Sequence, residues 1–141
     1  MRVRWNTKPF LAKLERHEQR QLDKAAITLQ NYIKQSFGNS GVTGTRSGAS
    51  KKERAANRSK LGNPPNIDTG NLKRNISFAK PVGRPSVRQV GTGIGNAKSV
   101  GYALYLEFGT SRMWERPYLR PALINNRAKL KKILTEKMRA A

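Results

Sequence analysis

The chain of 141 residues is long enough for one domain and too short for two of ordinary size. Its 29 Lys and Arg against 8 Asp and Glu leave a net charge of +21, so the protein repels itself and calls for a polyanion or an acidic protein neighbour. The lack of cysteine excludes disulfides and thiolate metal sites; no apolar run approaches the roughly 18 residues of a membrane helix, and the expected setting is a cytoplasm with no membrane partner.

In chain order, Met1-Arg2-Val3-Arg4-Trp5 alternates and predicts a short strand or an extended arm. From about Pro9 to Phe37 the period is helical. Leu22, Ala25, Ala26, Leu29, Ile33 and Phe37 recur at three- and four-residue steps and form one apolar stripe. Residues 15–20 contain no apolar side chain, so this stretch faces solvent or a polar partner. Gly38 follows the stripe as a stop signal.

Residues 38–66 change character. They are rich in Gly, Ser, Thr and Asn, and Arg46, Lys51, Lys52, Arg54, Arg58 and Lys60 face a single acid, Glu53. With few apolar groups to offset ordering entropy, the stretch reads as a long basic loop, with a short helix over 51–60 as an option. Its six cations are the candidate contacts for an anionic partner.

Order returns near Pro64-Pro65, where Asp68 or Thr69 can cap a helical turn through Leu72 and Ile76. Three β segments are expected next, at 76–79, 86–94 and 102–108, punctuated by Pro81, Pro85 and Gly91/Gly93/Gly95. In the last, Tyr102, Leu104, Leu106 and Phe108 would share one face, with Ala103, Tyr105 and Glu107 opposite. A second helix starts between Pro117 and Pro121. Its stripe is Leu119, Leu123, Leu130, Ile133, Leu134 and Met138, and cations crowd toward its end, where they suit the helix dipole. The fold class is α+β: a long N-terminal helix, a small antiparallel sheet, a C-terminal helix and a long basic loop in one domain, 1–141, with sheet and C-terminal helix in 67–141.

Catalytic signals are poor, and the chain reads as a non-enzyme without cofactors or metals. His17 is the lone histidine and lies in a polar helical stretch; the carboxylates are scattered, with no pair placed for acid–base work and no oxygen cage for a cation. The alternating glycines 91, 93 and 95 do not open a helix, so a β-turn replaces the dinucleotide reading, and Lys98-Ser99 lacks the glycine of a P-loop. Tyr102, Tyr105, Phe108, Trp114 and Tyr118 cluster apart from most of the cations, which suits a core or subunit interface better than base stacking. Glu107 stands out as an acid in an apolar segment followed by Arg112, Arg116 and Arg120, and a salt bridge clamping that segment to the helix is expected.

The run Tyr102-Ala-Leu-Tyr-Leu-Glu107-Phe-Gly109-Thr110, a short loop, and Arg116-Pro117-Tyr118-Leu119-Arg120-Pro121-Ala122-Leu123 resembles the signature of the tailed-bacteriophage tail-component family, which includes neck, tail-completion and head–tail joining proteins. Pro65–Ile76, with Asp68-Thr69-Gly70, and Val90-Gly91-Thr92 resemble further landmarks of that family. The basic 38–63 stretch and the extreme charge depart from it.

The resemblance implies a structural virion protein of the neck or tail, assembled in the host cytoplasm, with Tyr102, Glu107, Gly109, Thr110, Arg116, Pro117, Tyr118, Arg120 and Pro121 as a structural and interface signature. The implied partners are copies of the chain in a hexameric or dodecameric ring, head-connector or stopper, tail-terminator and tail-tube proteins, with DNA in the channel as a further candidate. The alternative from another class is a cellular protein that binds DNA or RNA without regard to sequence.

Overall fold

The computed structural model describes residues 7–38, 50, 52, 59–60, 62–67 and 69–136. Helix α1 covers Lys8–Ser36, with proline at its start, where a missing N–H costs nothing. A single helical turn, α2, covers Asn71–Arg74. Strands β1 (Ser77–Ala79) and β2 (Gln89–Gly91) pair antiparallel, with Phe78 opposite Val90. Helix α3 spans Ala103–Phe108 and helix α4 spans Leu119–Leu134. This is the expected α+β order of long helix, small antiparallel sheet and C-terminal helix. The expected strand at 1–5 and four of the six loop cations, Arg46, Lys51, Arg54 and Arg58, lie outside the described residues; the other two, Lys52 and Lys60, are exposed.

The α1 stripe works as its spacing dictates. Ala26, Ile33 and Phe37 are buried, and α1 packs along α4. The pair runs antiparallel. Phe37 at the end of α1 meets Tyr118 at the start of α4, ring centroids 5.4 Å apart, while Lys24 reaches Glu136 beyond the end of α4 at 2.9 Å. The core closes with Leu72, Ile76, Val100, Ala103 and Ala122 around that ring pair. The Gln30 side-chain amide donates to the Ile76 carbonyl at 2.9 Å and ties α1 to the entry of β1. On α4 the buried line is Ala122 and Leu130, flanked by Leu119, Asn126 and Ile133. Leu123 and Leu134, expected on the stripe, are exposed instead, and Met138 lies outside the described residues.

One β expectation is corrected in extent and one in kind. The strand expected over 86–94 is only three residues long. Arg84–Val87 is a turn, and the chain bends again after Gly91, where Gly93 and Gly95 take φ of 68° and 62°. The segment 102–108 is a helix. Over six residues, alternate and three-to-four spacing are both satisfied by Ala-Leu-Tyr-Leu-Glu-Phe, because apolar residues stand on every side. The helical register wins because it brings Ala103 and Glu107, four apart, to one buried face with Leu106 beside them. The two faces forecast for a strand are therefore mixed. Tyr102, Leu104, Tyr105 and Phe108 point outward, between 45% and 62% exposed.

The excursion that leaves α1 returns to its starting point. Gly38 and Asn66 form a parallel bridge, with the Ile67 amide donating to the Gly38 carbonyl at 3.2 Å. A Cβ on Gly38 would meet the Asn66 Oδ1 atom, so a larger residue there would require that side chain to move.

Candidate functional site: the α3–α4 junction

Helix α4 begins with a problem of unpaired donors. Its N-cap residue, Tyr118, offers no capping side chain, so the first-turn amides need an acceptor from elsewhere. Glu107, on α3, supplies it. Oε2 accepts from the amides of Tyr118 at 2.8 Å and Leu119 at 2.9 Å, and Oε1 accepts from the amide of Arg120 at 2.9 Å. The next residue is Pro121, which has no N–H. One carboxylate thus satisfies the three open donors, and it also places negative charge at the positive end of the helix dipole. Glu107 is 2% exposed, and it is the only buried acid among the described residues.

Arg120 completes the arrangement. Its Nε donates to Glu107 Oε1 at 3.2 Å, and Nη2 donates to the Glu107 carbonyl and to Glu115 Oε2, each at 2.9 Å. The guanidinium lies over the Phe108 ring, 5.0 Å from its centroid. Its pKa is raised, first by the Glu115 hydrogen bond and, against partial desolvation, by Glu107 as well.

The turn between the helices is built on Gly109 and Thr110. The Gly109 amide closes α3 on the Tyr105 carbonyl at 2.9 Å, and its φ of 74° with ψ of −177° is open to glycine alone. A Cβ there would stand 2.9 Å from the Met113 carbonyl oxygen and 3.0 Å from the Glu115 nitrogen. The Thr110 amide donates to Met113 O at 2.7 Å, and the Arg112 amide donates to the Thr110 hydroxyl at 3.3 Å. The Arg116 amide then donates to Leu106 O at 2.7 Å, which returns the chain to α3 just before Pro117.

Tyr118 is 1% exposed. Burial, with the Glu107 charge adding to it, pushes its phenol up to about 12.

The expected salt bridge to Glu107 therefore exists, but with Arg120 alone, and the backbone amides are the larger part of the partnership. Arg112 is exposed, and neither it nor Arg116 forms an ion pair with Glu107. Sequence reasoning missed the amides, although a signal was present: a helix opened by proline, with no Ser, Thr, Asp or Asn at its cap, must borrow an acceptor.

A second polar cluster ties α1 to the segments beside the sheet. Asp23 on α1 takes the Arg88 guanidinium on one oxygen and Lys80 on the other, the latter at 2.9 Å. Arg88 is 4% exposed and also reaches Gln19. Burial would raise the Asp23 carboxyl, but the hydrogen bonds from Lys80 and Arg88 outweigh it and hold the group below its ordinary value. Of the stretch expected to face solvent or a polar partner, His17 meets the end of α4: its Nε2 donates to the Glu136 carbonyl at 3.1 Å.

Capping, stacking and clamping are structural chemistry. Among the described residues no cluster of His, Cys, Asp or Glu is placed to hold a metal, and no helix is long and apolar enough to cross a membrane. Compared with known proteins, the chain matches no family model, no curated protein and no solved structure.

Proposed function

We propose that the chain is a structural virion protein of a tailed bacteriophage, a ring-forming neck or tail-completion component that joins the DNA-filled head to the tail. The signature in residues 102–123 suggests the class, and one observation carries the assembly reading. The α3–α4 junction is locked from within by Glu107, yet it displays Leu104, Tyr105, Phe108, Trp114 and Ile124 to solvent, between 54% and 74% exposed. A junction so firmly fixed holds large apolar side chains in a defined array, as a protein interface requires. Apart from Arg112 and Arg120, which lie at this junction, exposed cations stand at Lys13, Arg16 and Arg20 on α1 and at Arg127, Lys129, Lys131 and Lys132 on α4. In a ring these faces meet acidic neighbours or the DNA in the channel.

The net charge of +21 favours a second reading, a protein that binds DNA or RNA without regard to sequence. Mass photometry and negative-stain images of the purified chain, followed by a salt titration against duplex DNA, separate the two. Closed rings, or co-purification with a connector or tail-tube protein, support the phage reading. A stable monomer that binds any duplex, with log affinity falling by about 0.9 per phosphate contact against log salt, overturns it.

A further inference from the structure

A pocket of about 410 Å³ opens between the end of α1, the segment leading into α2, and α3. Its walls are largely apolar, with Phe37, Ile67, Leu72 and Leu106 contributing, and its volume lies within the roughly 300–1,000 Å³ span of ligand clefts. Two polar groups lining it lack partners. Arg116 Nε and Ser59 Oγ are both buried without a hydrogen bond, and the Arg116 side chain makes no ion pair among the described residues. The contrast with its neighbour is sharp, since Arg120, four residues on, engages both Glu107 and Glu115. Among the described residues, the nearby acids Glu107 and Glu115 engage Arg120, and Arg116 Nε is left at the pocket without a hydrogen bond.

We infer that this pocket receives an acidic, apolar segment of a protein partner: a carboxylate pairs with Arg116, and a hydrophobic or aromatic side chain fills the space against Phe37 and Leu106. A guanidinium fork fits a carboxylate in two-point geometry, and Lys73 at the same wall adds a second positive charge. Charge complementarity selects an acidic partner for a chain of net +21. Nucleic acid fits less well, because a backbone needs a track of cations and the described walls hold two beside a mainly apolar lining. The inference rests on the assembly reading for the partner being protein.

The test uses the full-length chain and saturation-transfer NMR, which reads the small ligand and works for a monomer or a ring alike. The probes are N-acetylphenylalanine, which carries a carboxylate beside an aromatic ring, and N-acetylphenylalanine amide, which does not. The acid is expected to bind in the millimolar range and the amide at least about tenfold more weakly. Arg116→Met should abolish the preference while melting at or above the parent temperature, because it removes an unpaired buried donor; a purely structural arginine would lower the melting point. Equal binding of acid and amide, no transfer to either at about 10 mM, or displacement of the acid by a short oligothymidylate overturns the inference. Rings that form from a protein whose pocket takes neither probe sink the pocket alone. Acid-selective binding by a chain that never assembles sinks the assembly reading alone.

Discussion

The Glu107 carboxylate takes the Tyr118 amide at 2.8 Å and so joins the last turn of one helix to the first turn of the next. The bond is one of three that this side chain accepts from the backbone, and all are shielded from water. Its strength comes from an ionised acceptor facing donors that have no other partner within the helix.

Removing that acceptor should be costly. Glu107→Ala leaves the amides of residues 118–120 unsatisfied in a buried site, and an expected loss of about 2–3 kcal/mol follows from cap loss and buried unpaired donors. Glu107→Gln keeps one acceptor oxygen but turns an NH2 group toward donors, and should cost about half as much. Urea denaturation of both variants measures this. Parent-like midpoints would reduce Glu107 to an incidental contact.

Gly109→Ala tests the turn. The added methyl meets the Met113 carbonyl, and the backbone needs a positive φ with extended ψ, so a destabilisation of about 1–3 kcal/mol is expected from the same denaturation curves. Gly83 also has positive φ, but a Cβ there meets nothing within 4 Å; Gly83→Ala, as a control, should cost distinctly less.

Asp23 shapes the acid limb. Its folded pKa lies below the unfolded value of 3.8, so its contribution is present above that value and fades as pH falls through the folded one. Partial exposure limits the magnitude to about 1 kcal/mol. Stability measured from neutral pH down to about 2 should fall less steeply in Asp23→Asn than in the parent. A parallel pair of curves would remove Asp23 from the account.

Tyr118 shapes the alkaline limb with the opposite sign. Folding favours the neutral phenol, so its contribution is complete below pH 10 and is lost as pH rises through about 12. Phenolate absorbance should show one late-titrating tyrosine in the native protein, and Tyr118→Phe should abolish that step and flatten the loss of stability above pH 10. If the variant still shows the late step, another tyrosine is responsible.

Leu104→Lys and Ile124→Lys address assembly. Both side chains are mostly in solvent, 62% and 69% exposed, so each variant should unfold within about 0.5 kcal/mol of the parent. If the outward faces of α3 and α4 join subunits, mass photometry should show rings of the parent reverting to single copies. Variants that assemble like the parent would move the interface elsewhere.

The long elements were legible in the sequence because their signals are redundant. The α1 stripe from Leu22 to Phe37 repeats over four turns, and Pro117 and Pro121 bracket the start of α4. The short element at Ala103–Phe108 was not, since six residues with apolar groups on all sides fit either period, and tertiary burial of Glu107 decides between them. At the candidate site, Glu107 and its coupling to the following helix could be read from an isolated acid in an apolar run. Its backbone partners could not be read from side-chain identity, because every residue but proline carries the same amide. The Arg116 pocket was hidden for a related reason. It is formed by segments distant in sequence, the end of α1, Ser59, residues 65–67 and 69–73, and α3, whose apposition no local pattern records.

The bridge between Gly38 and Asn66 also has a consequence for how the gene can vary. Exit and re-entry points held side by side make the frame insensitive to how much polypeptide is spliced between them, since doubling a closed loop adds only about 0.6 kcal/mol. An epitope inserted between these two points, upstream of Ser59, should therefore leave the urea midpoint of the protein close to that of the parent.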